Sequence, residues 1–87
     1  MKKTDSSLHF PCSFTLKVMG LNTETFAAAV TAIFEKHVDP DRISYSRRQS
    51  SGGKYLSITA TFTARSKDQL DALYQELNDH DLVLMTL

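Results

Sequence analysis

Residues 47–55 read RRQSSGGKY, and whether this stretch cradles an anion or only turns the chain decides the fold. Phosphate-cradling loops work because glycine lets successive backbone amides converge on an anion at the start of a helix, whose dipole adds to the attraction. Here the residues that follow, Lys54 to Ala64, alternate instead, with Leu56, Ile58, Ala60 and Phe62 on one side and Ser57, Thr59, Thr61 and Thr63 on the other. That two-residue period belongs to a half-buried strand. The Walker spacing and the dinucleotide glycine fingerprint are both missing. Ser50 and Ser51 offer hydroxyls that bond local backbone, and Gly52 and Gly53 offer positive φ angles, which is what a hairpin turn requires. The stretch therefore joins a weaker strand, Ile43 to Arg48, to a strong one. Arg47, Arg48 and Lys54 flank the hairpin as solvated charges, open to an anion or an acidic partner.

Upstream of the hairpin, Ser13 to Met19 alternates, with Phe14, Leu16 and Val18 facing one way and Thr15, Lys17 and Met19 the other. Gly20 breaks that pattern. Asn22 or Thr23 then caps a helix whose positions Phe26, Ala27, Val30, Ile33, Phe34 and His37 recur at helical spacing, and Pro40 cannot continue it. Downstream, Ser66 to Gln69 reads S-x-x-Q, a capping box for a second helix with the stripe Leu70, Leu73, Tyr74 and Leu77. The run DLVLMTL at 81–87 closes the chain as a strand. Residues 1 to 9 are polar and aperiodic, so a mobile tail is expected there, with one domain over 10–87. The order strand, helix, strand, strand, helix, strand predicts an α+β, ferredoxin-like βαββαβ sandwich, a four-stranded antiparallel sheet with two helices on one face. In that topology the first and third strands are central.

The 87 residues leave no room for a second domain, and ten basic side chains cancel ten acidic ones, so no global field gathers nucleic acid, anionic membrane or a highly charged substrate. A single cysteine, Cys12, excludes an internal disulfide and fits a reducing compartment. The opening MKKTDSS has polar residues where a signal peptide has an apolar run, and no stretch is long enough to span a bilayer. A cytoplasmic location is expected.

Site chemistry is sparse. His9, His37 and His80 show no metal-ligand spacing. Cys12, beside Pro11, has no neighbour to stabilise a thiolate. The aspartates fall at helix ends or on exposed helix faces, with no carboxylate pair arranged for acid-base work. Neither a metal nor a cofactor is expected. The open-face positions Ser57, Thr59, Thr61 and Thr63 offer bases no stacking platform beyond Tyr55 at the edge, the loop KVMGLNTE lacks the paired cysteines of a copper chaperone, and it has no arginine to hold phosphate as acylphosphatases do. The closing strand is apolar on both faces, since Leu82 and Leu84 alternate with Val83, Met85 and Leu87. A sheet with one wet face alternates apolar with polar. The expectation is a homodimer, packed sheet on sheet or edge on edge, that covers Thr15, Lys17, Met19, Val83, Met85 and Leu87; the alternative is that these side chains sit singly at the surface.

The stretch FPCSFTLKVMG, residues 10–20, resembles the opening of the YbeD-like family of small bacterial proteins, F-P-x-x-F-x-x-K-V-M-G, at Phe10, Pro11, Phe14, Lys17, Val18, Met19 and Gly20. SSGGKYLSIT at 50–59 resembles the family's S-S-x-G-x-Y segment, and LYQEL at 73–77 its second-helix signature. The resemblance implies a ferredoxin-like fold similar to that of ACT domains, an association with lipoate biosynthesis and no enzymatic activity. ACT domains commonly bind small ligands near the loop between first strand and first helix, often at a dimer interface. The matching positions are Met19, Gly20, Leu21 and Asn22, where a helix N-terminus favours a carboxylate and Gly20 allows close backbone approach. Without a ligand, Gly20 is a turn residue and Asn22 a helix cap. The function expected is therefore a non-catalytic regulatory or adaptor domain acting through a protein partner or a small metabolite. The alternative is a nucleic-acid-binding module that uses Arg47, Arg48 and Lys54.

Overall fold

The computed structural model describes residues 9–87, so the expected tail lies outside the described residues except for His9, which is exposed. In chain order come β1 (Cys12–Leu21), α1 (Glu24–His37), a short 3-10 turn (Pro40–Arg42), β2 (Ser44–Gln49), β3 (Tyr55–Ala64), α2 (Lys67–Asp79) and β4 (Val83–Thr86). One antiparallel sheet runs β2-β3-β1-β4, with β1 and β3 central as the sequence order requires. This is the ferredoxin-like sandwich.

The alternation along β1 and β3 becomes two faces. Leu16 and Val18 pair with Ala60 and Ile58 and are buried, together with Leu56 and Phe62. Phe26, Ala27, Val30, Ile33 and Phe34 of α1 and Leu70, Leu73 and Leu77 of α2 close the core from above. An aromatic chain crosses the whole layer: Tyr74 meets Phe14, Phe14 meets Phe62, Phe62 meets Phe34, and Phe34 meets Tyr45 of β2, with ring centroids 5.9 to 6.5 Å apart. The tilted and edge-on geometries are those that aromatic rings prefer. Partial burial, and then the charge of Glu35, push the Tyr45 phenol above its ordinary range.

Both helix starts are capped by side chains. Thr23 Oγ1 accepts from the Phe26 amide at 3.0 Å, so Thr23 rather than Asn22 is the cap of α1. Ser66 Oγ accepts from the Gln69 amide at 3.1 Å. The Gln69 carbonyl oxygen reaches one residue past the usual capping box, to the Arg65 amide at 2.6 Å, and its NH2 donates to the His37 carbonyl at 2.7 Å. One side chain thus opens α2 and holds the end of α1.

Two expectations need correction at the β1–β4 edge. Gly20 is not a turn residue: β1 continues through it to Leu21. The register with β4 shifts there instead, because Met19 pairs with Met85 but Gly20 pairs with Val83, which leaves Leu84 as the extra residue of a bulge. The bulge resets the alternation of β4. Val83 is half-buried against the core and does not join the expected outer surface, whereas Leu84 and Met85 are both exposed.

Candidate functional site

The hairpin and the β1–α1 loop, separate in sequence, form one assembly. At the turn, Ser50 N–H donates to the Tyr55 carbonyl at 2.9 Å, Gly53 N–H donates to the Ser50 carbonyl at 2.8 Å, and Tyr55 N–H donates to Ser50 Oγ at 3.0 Å. Gly52 and Gly53 take φ of +88° and +76°, where a side chain would be strained. Asn22 then clamps this turn to β1: its N–H donates to the Lys54 carbonyl at 2.9 Å and its side-chain NH2 to the Gly53 carbonyl at 3.0 Å. Asn22 is therefore a strut between loops and not a helix cap. The space beside Gly20 is also taken, since a Cβ there would meet the Phe26 ring and come within 2.6 Å of the Leu82 carbonyl. The close approach that Gly20 allows is used by the protein's own core. Of the expected ligand positions, Met19 and Leu21 remain, both on the open face of the sheet.

The three basic residues of the hairpin do not all lie on one side of the sheet. Successive strand residues face opposite ways, so Arg47, opposite Ile58, lies on the helix side and Arg48, opposite Ser57, on the open side. Arg47 Nη1 stands 3.6 Å from Glu24 Oε2 at the start of α1, an exposed pair of small energetic worth. Lys54 Nζ lies 5.4 Å from the centroid of the Tyr55 ring.

The open face divides lengthwise. Its β2–β3 half is polar, with Ser46 paired to Thr59, and Thr15 Oγ1 lies 3.1 Å from Thr61 Oγ1 on the neighbouring strand. Its β1–β4 half is apolar apart from Lys17, which lies opposite Leu87. Met19 sits opposite Met85, and Leu87 exchanges backbone hydrogen bonds with Lys17 at 2.8 and 3.1 Å. Leu21, Leu84, Met85 and Leu87 are 47%, 58%, 49% and 60% exposed. The hydrophobic run at the end of the sequence pointed to this surface, but Leu21 and Leu84 were missed and Val83 was wrongly included.

A second feature lies at the far end of the sheet. Where β1 begins and β3 ends, the close of α1 and the start of α2 bound a groove of about 690 Å³. Pro11 and Val38 form apolar wall, Thr63 and Gln69 polar wall, and Arg42 and Arg65 line it from two distant segments. His37 borders the groove and turns its Nε2 to Glu76 Oε1 at 2.8 Å. Glu76 also pairs with Lys36. The hydrogen bonds from Lys36 and then His37 hold the Glu76 carboxyl below the usual glutamate range. Nothing in DPDR or in ARSK, residues 39–42 and 64–67, marks these arginines in sequence, since only the fold brings them to one groove. His80, the remaining histidine, accepts the Leu82 amide at Nδ1, 3.1 Å away. Cys12 is free and partly buried against the core. Among the described residues no group of three or more His, Cys, Asp or Glu is placed to hold a metal ion, and no helix is long and apolar enough to cross a membrane.

Comparison with known proteins places this architecture. The family model described as "Protein of unknown function (DUF493)" matches residues 5–87. The chain is similar to a UPF0250 protein of Nitrosomonas europaea, 40% identical over 84 residues that cover 95% of this chain and 97% of that one. It is also similar to a UPF0250 protein of Shewanella woodyi, 45% identical over 75 residues covering 86% of this chain and 84% of the other. The solution structure of a protein from H. pylori superposes with a TM-score of 0.75 at 18% identity, covering 99% of this chain and 88% of that one, which establishes likeness of fold.

Proposed function

The chain belongs to the YbeD-like family, whose DUF493 model and UPF0250 members match almost its whole length, and on that premise we propose a non-catalytic regulatory or adaptor domain that works through the apolar half of its open sheet face. The observation that carries this reading is the convergence of Leu21, Met85 and Leu87 with Met19 on one side of the β1–β4 pair, with exposed Leu84 at the bulge beside them. Contiguous exposed apolar surface on a small domain marks an interaction site more often than scattered single residues do. The partner is a protein, and the link to lipoate metabolism that the resemblance implies is part of the proposal. The nucleic-acid alternative gains little support, because Arg47 and Arg48 face opposite ways and Arg47 has a carboxylate neighbour.

Affinity capture with the parent chain and with Met85→Asp as baits tests the reading, each bait first shown by circular dichroism to be folded. The expected result is a protein retained by the parent and lost with Met85→Asp. Equal capture by both baits, or clear turnover of phosphate-ester or acyl substrates, would overturn it. Tight RNA binding that is abolished by Arg47→Ala with Arg48→Ala and weakens steeply with salt would transfer the function to the hairpin. Comparing protein lipoylation in cells with and without the chain tests the metabolic link.

A further inference from the structure

The groove between the close of α1 and the start of α2 lies at the opposite end of the sheet from the hairpin and shares no residue with the apolar face. Its volume, about 690 Å³, is in the range that holds a metabolite-sized molecule. Its walls are mixed: Pro11 and Val38 suit a carbon skeleton, while the Thr63 hydroxyl suits a polar substituent. The informative residues are Arg42 and Arg65. Among the described residues neither guanidinium has a hydrogen bond, an ion pair or a ring contact, a state shared with the side chains of Arg48 and Lys17, whereas Lys36, Arg47 and Lys67 each find a carboxylate. A guanidinium presents a planar fork of donors that matches carboxylate and phosphate oxygens, and it keeps its charge at every physiological pH. Two such residues lining one concave site from separate segments suit a ligand with two negative charges. Asp39 is the one carboxylate on the wall, and its Oδ1 already accepts the Asp41 amide at 3.1 Å.

We propose that this groove binds a small dianion, a dicarboxylate or a phosphate ester, with Arg42 and Arg65 as its charge partners. The two ligand classes share paired oxyanion charge and differ in the group that carries it. The site is separate from the apolar face, so either proposal can fail alone.

The test is a titration of the 15N-labelled full chain, followed by amide shifts, with succinate in one arm and inorganic phosphate in the other, at an ionic strength held constant with sodium chloride. The expected result is saturable shifts at Arg42, Arg65 and Gln69 in at least one arm, with the hairpin amides of Arg47 and Arg48 unmoved. Saturation by succinate alone assigns a carboxylate ligand, and by phosphate alone a phosphate ester. Arg42→Ala and Arg65→Ala, both changes of exposed side chains, should each weaken binding by about tenfold or more, the loss typical of a charge-assisted hydrogen bond. Asp39→Asn, which keeps an oxygen for the Asp41 amide, should tighten it. The proposal is overturned by an absence of saturation in both arms, by equal shifts at Arg47 and Arg48, or by arginine variants that bind as the parent does.

Discussion

Gly20 and Asn22 show how much one residue can decide in a domain this small. At Gly20 the missing side chain leaves room for the Phe26 ring and the Leu82 carbonyl, so the glycine serves packing between β1, α1 and the approach to β4. Gly20→Ala should therefore destabilise the fold by about 1–3 kcal/mol, the usual cost of overfilling a packed site, read as a lower urea midpoint. An unchanged midpoint would mean that Phe26 moves aside freely. Asn22 acts differently, through its two bonds to the hairpin. Asn22→Ala removes only the side-chain bond, so the loss should be about 1 kcal/mol. It should concentrate at the turn as faster amide exchange at Gly53 and Tyr55. Exchange that rises evenly through the protein would show that the strut is not local.

At the scale of elements, the two helices are joined near one end by polar contacts that the helical periodicity of the sequence does not contain. Gln69 donates to the His37 carbonyl, and Glu76 accepts from His37 while pairing with Lys36. Because folding lowers the Glu76 pKa, the folded state binds fewer protons than the unfolded one through that range. The contribution is therefore present above the ordinary glutamate range, near about pH 4.3, and is lost as pH falls through the lowered folded value. Glu76→Gln should lower Tm against the parent at about pH 7, and the gap should shrink as pH falls below the ordinary glutamate range. A gap that does not change with pH would assign Glu76 a packing role instead. β1, β3 and both helices were legible in sequence because each carries one uninterrupted period, and Ser66 announced its cap. SYSRRQ of β2 carries no clear period, since an edge strand exposed along its whole length needs none, yet Tyr45 reaches the aromatic chain. The bulge at Leu84 was not legible, because alternation read from residue types assumes an unbroken register. The groove was hidden for a related reason, its arginines being adjacent only after α1 and α2 have packed.

For the whole molecule, the helices cover one side of the sheet and leave the other half polar and half apolar, and that asymmetry bears on assembly. A side chain of the Leu or Met type gains roughly 1.5–3 kcal/mol on full burial. Leu21, Leu84, Met85 and Leu87 are each about half exposed, so each has about 1 kcal/mol still to gain. Two copies packed face to face would bring eight such side chains together, or about 8 kcal/mol. The freedom lost on association costs about 4–15 kcal/mol. These magnitudes are close enough that a self-associated state should be weak and should depend on concentration. We therefore expect light scattering across a dilution series to show the mass rising from monomer toward dimer as concentration increases. Met85→Asp, which places a charge opposite Met19 at the centre of the patch, should hold the chain monomeric throughout. Arg47→Glu, on the helix side of the edge strand, should leave the series unchanged. A monomer at every concentration would end the dimer reading and reserve the apolar face for a different protein, while a dimer broken only by Arg47→Glu would place the interface at the β2 edge and its hairpin.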